Sequence, residues 1–467
     1  MFNQIRSNEI GRIKNTSYIF VPFYCPVQFN ELSIDEQWRE KNQGNKYFLK
    51  YIVDKLKHNS ANVCCRPYLM EDVVRDSLGI VKSNRLCTLE TRQYAANNRP
   101  FSFYIVEILL FLFETKIGFL IYKIEHEKND TYKHIASKNY HLKKIHSSPL
   151  YTTKEDGTKA TLVLGDDTTN SLSLLTQYIL KKTVNKNVDI FFNYTSEKER
   201  RCNILSHFHL KLEHKLCDKD NTDIENILFL LKRNYHHEWE PDFGSVYKET
   251  EYYQASPFIR WGISSEATVC LTISDIDTFF VGNSFYDNFH SYYLYEYILA
   301  LHQKYALYYF LTNFKAESDL DELENNIADL ADFRAKYVFQ IISESETYQT
   351  VYSKQCKVFE LETLFCDIDE QVNRVTQIKN AISERKQEEQ EDKINHILAL
   401  LAFFGIFSAS NDVSELIESL DWIINRSMIP NVQKIAVAIL WGISLTLLVR
   451  YFIANSKKHS KSKKRGK

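Results

Sequence analysis

The stretch Phe258-Ile259-Arg260-Trp261-Gly262 holds the two side chains of this chain best suited to bind a nucleotide. An arginine guanidinium binds phosphate through paired hydrogen bonds, and the flat indole of a tryptophan stacks on a base. Arg260 and Trp261 are therefore the candidate ligand-binding residues. The alternative is a salt-bridged arginine beside a core tryptophan, because no neighbouring residue fixes a binding geometry.

Histidines are the candidate metal ligands. His207 and His209 alternate on strand-like sequence and would face one side of a strand, with His214 close behind and a second group at 236–238. Metal binding is geometrically feasible. No partner at a fixed spacing completes a known site, so the metal ligands stay unknown and ordinary polar faces are the alternative. We find no nucleophile–base constellation and expect no enzyme.

Composition limits the classes of partner. The 467 residues suffice for two or three domains. The formal net charge is −2, and the basic tail contributes +7, so the remainder carries −9 and nucleic-acid binding is not expected. The 9 cysteines lack disulfide-like spacing, which indicates a reducing cytoplasm. There is no Gly-rich phosphate loop, and the N-terminus has no signal-peptide pattern.

Residues 1–284 predict a cytoplasmic α/β domain, the candidate sensor. Ser17–Cys25 is typical of a strand, and a capping-box pattern at Ser33 predicts a helix running toward Lys57. Two apolar runs, Ile105–Phe113 and Ile117–Ile124, flank a short turn and predict a buried hairpin.

Residues 285–393 predict a long-helix and stalk region. A heptad-like seam begins near Val358, and no Gly or Pro interrupts the sequence between it and Ile394. We predict one continuous helix over Gln355–Ser410, about 84 Å long at 1.5 Å per residue. So long a helix must pack along its length, and copies of the same chain around a symmetry axis are the simplest partner.

Two apolar segments, Ile394–Ser410 and Ile435–Ala454, predict a two-helix transmembrane region over 394–454. A re-entrant or buried core helix is the alternative for the shorter first segment. Lysines and arginines flank the pair, and the connecting loop is acidic, so both termini would be cytoplasmic. The basic cytoplasmic tail 455–467 would contact anionic membrane lipids. The expected fold class is an α+β cytoplasmic domain followed by long α-helices and a C-terminal transmembrane hairpin.

One face of the first apolar segment is small and partly polar, as a pore wall or a tight helix contact would be. A ring of Asp412 or Asn411 at the outer mouth would attract cations. The candidate pore-lining residues are Asn395, Leu398, Ala402, Gly405, Ala409, Asn411 and Asp412.

Over Phe285–Lys467 the chain resembles the CorA family of divalent-cation channels. The likeness is one of topology: an α/β cytoplasmic domain, a stalk running into a first membrane helix, a second membrane helix and a Lys-rich tail. Where the family has Gly-Met-Asn, this chain has Ala409-Ser410-Asn411, so only the Asn matches. The resemblance implies a homopentamer in the bacterial inner membrane, with Mg2+ or another divalent cation as the transported or regulatory ion and no other cofactor.

Divergent CorA-like proteins also serve as membrane effectors of type III CRISPR and antiphage defence, where the cytoplasmic domain resembles a sensor for a nucleotide second messenger. We therefore expect an oligomeric cation channel that opens when such a ligand binds the cytoplasmic domain. The alternatives are a membrane-anchored scaffold or signalling protein without a pore, and a housekeeping Mg2+ transporter.

Overall fold

The computed structural model describes most of the chain before residue 420. The described ranges are 15–26, 34, 36–41, 47–57, 60–78, 80, 87–89, 101–145, 150–153, 159–160, 162–164, 167–169, 171–184, 188–191, 201–234, 249–277, 282–313, 320–419 and parts of 431–451. The chain divides into two compact units, Met1–Val372 and Asn373–Lys467.

Unit 1 is built on strands that form one large mixed sheet and one small ribbon. The strands are β1 (Thr16–Tyr24), β2 (Trp38–Glu40), β3 (Cys65–Met70), β4 (Cys87–Leu89), β5 (Phe101–Phe113), β6 (Ile117–His126), β7 (Leu150–Thr153), β8 (Lys159–Ala160), β9 (Leu162–Leu164), β10 (Asp167–Thr169), β11 (Asp189–Ile190), β12 (Asn203–Lys211), β13 (Tyr252–Ser256), β14 (Ile259–Ile263) and β15 (Ala267–Ser274).

The large sheet has 13 described strands in the order β13-β14-β15-β12-β1-β6-β5-β4-β7-β8. β11 pairs with β1, β3 pairs with β5, and β2 pairs with β3, while β9 and β10 form the ribbon. β12 and β15 run parallel, and the other described pairs of the large sheet are antiparallel. The centre of the sheet is therefore β12-β1-β6-β5, whose long strands carry most of the core.

The helices are α1 (Lys50–Leu56), α2 (Asp72–Ser77), α3 (Tyr132–Leu142), α4 (Leu172–Val184), α5 (Asp220–Arg233), α6 (Gly282–Asn288), α7 (Leu294–Asn313), α8 (Leu320–Tyr337), α9 (Glu346–Val358) and α10 (Leu361–Ser419). A π-helical turn, Phe289–Tyr293, joins α6 to α7, and a 3-10 turn, Glu249–Glu251, precedes β13.

The sheet is covered on both faces because successive side chains of a strand point to opposite sides. On β1, Ile19 lies in the same apolar cluster as Leu175 of α4. Phe20, its neighbour, lies with its ring centroid 5.0 Å from that of Tyr297 on α7. The face that carries Ile19 is also covered by α3 and α5, which pack on β12 and β15. The result is a three-layer α/β/α arrangement with the sheet in the middle.

Several sequence predictions are confirmed. The predicted strand at Ser17–Cys25 is β1, and the predicted buried hairpin is β5 and β6. The predicted helix from Ser33 is wrong over Trp38–Glu40, which form β2. The stalk helix does not begin at Gln355, because Glu360 takes a left-handed conformation (φ 56°) and separates α9 from α10.

The predicted transmembrane hairpin over 394–454 is wrong. Within the described part of the chain, no helix combines the length and the apolar composition that a membrane span requires. The physical reason is clear in α10, which runs past its short apolar run through Asp412 and Glu415 to Ser419 as a single helix. The placement in a bacterial inner membrane depended on this hairpin, so that assignment is corrected with it.

The candidate pore-lining residues lie along α10. Asn395, Leu398, Ala402, Gly405 and Asp412 are exposed helical positions in unit 2. Ala409 and Asn411 also lie within α10. Their pore role was derived from the transmembrane hairpin, so we do not carry it forward. The basic tail 455–467 lies outside the described residues.

Candidate ligand site

Two backbone irregularities converge on one group of polar side chains in unit 1. The pairing of β5 with β6 shifts register between Ile105 and Glu107, and the π-helical turn carries His290. β-Bulges and π-helical turns recur next to functional sites, where they redirect particular side chains. Here they bring together Tyr18, Lys41, Glu107, Lys123 and His290, which we call the Tyr18 cluster.

Sheet register places three members of the Tyr18 cluster in one row. Tyr18 on β1 is the register partner of Lys123 on β6, and Lys123 is the register partner of Glu107 on β5. Residues directly opposite each other on neighbouring strands share a face. The row therefore lies on the sheet face that α7 covers. Lys41 approaches this row from the end of β2, and His290 approaches it from the π-helical turn.

Tyr18 and His290 are joined by a hydrogen bond of 2.7 Å between the phenol oxygen and Nδ1. Burial holds the pKa of Tyr18 well above its usual range. Burial, together with the positive charge of Lys123, holds the pKa of His290 well below its usual range. Tyrosine therefore keeps its proton and the imidazole stays neutral. A phenol that donates to Nδ1 leaves the ring proton on Nε2. Nε2 is buried without a hydrogen-bond partner among the described residues, so it can donate to a further group.

Glu107 lies between the two lysines of the cluster. Its Oε1 accepts from Lys123 Nζ at 2.8 Å, and its Oε2 is 3.6 Å from Lys41 Nζ. Burial raises the pKa of Glu107, but the two lysines outweigh burial and the pKa is lowered. For Lys123 the attraction of Glu107 outweighs the opposing effect of burial, so its pKa is raised.

Lys41 is the less well compensated of the two cations. Burial lowers the pKa of Lys41, and the repulsion from Lys123 adds to that effect, so Glu107 does not restore it. One carboxylate thus serves two ammonium groups in a partly buried position. An added anion would favour the charged form of Lys41.

A second polar group extends along the same sheet face and consists of His207, His209, Thr272 and Ser274. Thr272 Oγ1 lies 3.0 Å from His207 Nε2 and 2.9 Å from His209 Nδ1, while His209 Nε2 lies 3.1 Å from Ser274 Oγ. Burial lowers the pKa of His207 to about 3 and that of His209 to about 4. Both are neutral rings in a hydroxyl–imidazole chain, which is the ordinary polar role left open by the sequence.

The histidine chain reaches the Tyr18 cluster through aromatic rings of α6. The ring of Tyr286 lies 6.0 Å from the ring of His207 and 4.0 Å from the ring of His290. The Nδ1 atom of His207 is buried and has no hydrogen-bond partner among the described residues. Two neutral histidines on this face therefore each keep one ring nitrogen available.

Arg260 and Trp261, the candidates from sequence, lie on opposite faces of β14. Arg260 is buried and its Nη2 donates to Asn221 Oδ1 of α5 at 2.6 Å. Trp261 is fully buried on the other face, with its ring 4.6 Å from the ring of Tyr293. The two side chains do not meet in one pocket. A ligand-binding role for either of them stays a prediction.

The sequence carries one signal for the Tyr18 cluster, in the charges of its buried hairpin. Glu107 and Lys123 interrupt the two apolar runs of the hairpin, one charge in each strand. Charged residues are rarely buried unless they are paired. Opposite charges at matching positions of a buried hairpin therefore predict a cross-strand pair. Nothing local in the sequence indicated that Tyr18, Lys41 and His290 would join it.

A cavity of about 310 Å³ lies elsewhere in unit 1, between the β5–β6 turn and helices α7 and α8. Its charged lining is Glu114, Lys116, Asp329 and Asp332, so carboxylates outnumber cations. An anion would be repelled there and attracted to the lysines of the Tyr18 cluster. The size of the cavity therefore does not decide where an anionic ligand would bind.

Comparisons with known proteins add no family. No protein-family model matches the chain, and no curated protein and no solved structure matches it significantly. The CorA resemblance stays a prediction.

Proposed function

We propose that the chain is a ligand-responsive signalling protein that binds a small phosphate-bearing molecule at the Tyr18 cluster. The observation that carries the proposal is that Lys41 Nζ and Lys123 Nζ share the single carboxylate of Glu107, while the neighbouring His290 has a buried Nε2 without a hydrogen-bond partner among the described residues. Ammonium groups and a neutral imidazole N–H are donors, and phosphate oxygens accept such bonds strongly. A nucleotide second messenger belongs to this class of ligand.

The helices that follow the cluster offer a route for a response. His290 lies in the π-helical turn, and the next residues of that turn pack against α9: the rings of Tyr293 and Tyr348 are 4.7 Å apart. α9 leads through Glu360 directly into α10. A ligand that shifts the π-helical turn would therefore displace α9 and the start of α10, provided the helices have two packings.

α10 carries a surface on which a second copy of the chain can pack. A second copy is also the partner expected from the sequence. Leu361, Ile368, Val375 and Ile382 recur every seven residues, and the first three are buried. Ile382 and Ile378 continue the same seam but are 45% and 50% exposed. Exposed apolar residues in a heptad seam are suited to packing against a second copy of the same helix. The proposal therefore includes a homo-oligomer assembled through α10.

Calorimetric titration of the full chain with a panel of nucleotides, cyclic nucleotides and inorganic phosphate tests the ligand proposal. Lys41→Met should weaken binding by about 10–100-fold, since a hydrogen bond to a charged group contributes about 1.5–3 kcal/mol. Glu107→Gln should strengthen binding, because it removes the negative charge that competes with phosphate for the lysines.

Lys336→Met is the matched control, because Lys336 of α8 is also ion-paired but pairs with Glu114 and Asp332 instead. Its affinity for the ligand should equal that of the wild type. Binding that is unaffected by Lys41→Met, or weakened by Glu107→Gln, would refute the assignment to this site. Absence of binding by every phosphate compound would refute the ligand class.

A further inference from the structure

A second site lies at the other end of β12, in the turn that leads into α5. His214, Cys217 and Asp220 recur every third residue, and one nitrogen, one sulfur and one oxygen atom from them lie within 4.8 Å of one another. His214 and Cys217 are exposed, whereas Asp220 is buried. The group is independent of the Tyr18 cluster.

The carboxylate of Asp220 holds the three side chains together. His214 Nε2 is 2.9 Å from Oδ1 and 3.1 Å from Oδ2, and the backbone N–H of Cys217 donates to Oδ2 at 2.9 Å. The Cys217 side chain also bonds to this carboxylate. The carboxylate thus accepts hydrogen bonds from both of the other candidate ligands, so the three side chains already face one another.

The turn itself is held in place by contacts on its other side. The backbone N–H of Leu216 donates to Asp275 Oδ2 at 2.9 Å, and Lys215 Nζ lies 3.1 Å from Asp277 Oδ2. Both acids follow β15, the parallel neighbour of β12. The ligand atoms are therefore supported by the sheet and need only small side-chain rotations to converge.

We infer that His214, Cys217 and Asp220 bind Zn2+. Imidazole, thiolate and carboxylate are zinc ligands, and the thiolate argues against Mg2+ and Ca2+, which prefer oxygen. Bond lengths of about 2.0–2.3 Å in a tetrahedron place ligand atoms roughly 3.3–3.6 Å apart. The observed separations are within reach of that geometry. On binding, the Cys217 thiol releases its proton to solvent, and the ring proton of His214 leaves Nε2, where it bonds to Asp220, and is replaced through solvent by one on Nδ1, so that Nε2 can ligate.

Three protein ligands leave one tetrahedral position of the zinc to water or to a group from outside the turn. His214 and Cys217 lie on the surface, so the site is accessible to exchange. Metal binding would fix the connection between β12, which carries His207 and His209, and α5.

Co2+ replacement tests the site on the full chain after chelator treatment. One equivalent of Co2+ should give the near-ultraviolet absorption of a thiolate–cobalt bond, and Zn2+ should displace it. Cys217→Ser should abolish this absorption and weaken Zn2+ binding by at least about 100-fold, beyond the 10–100-fold typical of losing an outer-shell partner. His214→Gln should also weaken Zn2+ binding, and excess Mg2+ should not compete.

Cys366→Ser is the matched control, because Cys366 is the other exposed cysteine of the chain. It should keep both the absorption and the wild-type affinity. The proposal is overturned if the wild type binds Co2+ without thiolate absorption, if Cys217→Ser retains that absorption, or if Cys366→Ser loses it. Circular dichroism of each variant confirms that the fold is intact, and both cysteines are exposed, so serine should be tolerated.

Discussion

The phenol oxygen of Tyr18 and Nδ1 of His290 lie 2.7 Å apart, although 272 positions of sequence separate them. This bond ties the central strand β1 to the π-helical turn between α6 and α7. It also fixes which nitrogen of His290 carries the proton. The pair therefore links the stability of unit 1 to the chemistry of the proposed ligand site.

Tyr18→Phe should destabilise unit 1 and weaken ligand binding together. The variant leaves a buried imidazole nitrogen without its donor, a loss that costs about 1–3 kcal/mol. His290 is then free to place its proton on Nδ1, so Nε2 no longer presents a donor to phosphate. Urea unfolding measures the first effect, and titration with the bound phosphate compound measures the second.

Tyr122→Phe is the control for Tyr18→Phe. Tyr122 is equally buried, and its hydroxyl lies 2.8 Å from Thr176 Oγ1 on the opposite face of the sheet. Thr176 keeps its own bond to the carbonyl of Leu172 at 2.8 Å. This variant should lose less stability and keep its ligand affinity. Equal effects of the two variants on binding would contradict the role given to His290.

Acid should destabilise unit 1 through His207 and His209. Their folded pKa values, about 3 and about 4, lie below the ordinary value of 6.5, so between pH 6.5 and 4 the unfolded chain binds more protons. The free energy of unfolding therefore falls as pH drops below about 6.5. Each histidine contributes a loss of about 1.4 kcal/mol for every pH unit between its unfolded and its folded pKa. The loss from His209 is complete below about pH 4.

His209→Gln should flatten this dependence, because glutamine does not titrate. Urea unfolding at pH 7 and pH 4.5 gives the difference in free energy, which should be smaller in the variant than in the wild type. His134→Gln replaces an exposed histidine on α3 and should leave the difference unchanged. If His209→Gln loses as much unfolding free energy between pH 7 and pH 4.5 as the wild type does, His209 does not contribute to acid sensitivity.

Self-association through α10 should depend on Ile378 and Ile382. Lysine at both positions places charge in the exposed part of the seam, and burying an isoleucine side chain is worth about 1.5–3 kcal/mol. The double variant should dissociate at a protein concentration at least about tenfold higher than the wild type, as measured by analytical ultracentrifugation.

The control adds the same charge beside the seam. Gln377→Lys with Asn380→Lys changes two exposed positions of the same helix turn. This variant should associate like the wild type. A wild type that is monomeric at every concentration would refute assembly through α10.

Sequence indicated local elements of this fold and missed what depends on distant contacts. β1, β5 and β6 were predictable because uninterrupted apolar residues of strand length can be buried on both sides of a sheet. The break at Glu360 was not predictable, since a glutamate in a left-handed conformation has no local signature. The adjacency of Arg260 and Trp261 in the sequence suggests one binding site, yet neighbouring residues of a strand point to opposite faces of the sheet. The Tyr18 cluster needs five elements to meet, and no local pattern encodes that meeting.

Gly118→Ala should destabilise the hairpin's contact with β1. Gly118 is the register partner of Phe23, and a Cβ at position 118 would lie 2.3 Å from Cζ of that ring. Both residues are buried in the sheet, so the ring must tilt and displace its neighbours in the core. Overpacking of this kind costs about 1–3 kcal/mol.

Phe23→Leu removes the ring atoms that clash and leaves a smaller side chain in the core. Combined with Gly118→Ala it should therefore cost less than the sum of the two single changes, since each variant relieves the other. Urea unfolding of the four proteins gives this coupling, and strictly additive losses would show that the close approach of Gly118 to Phe23 is not what constrains position 118.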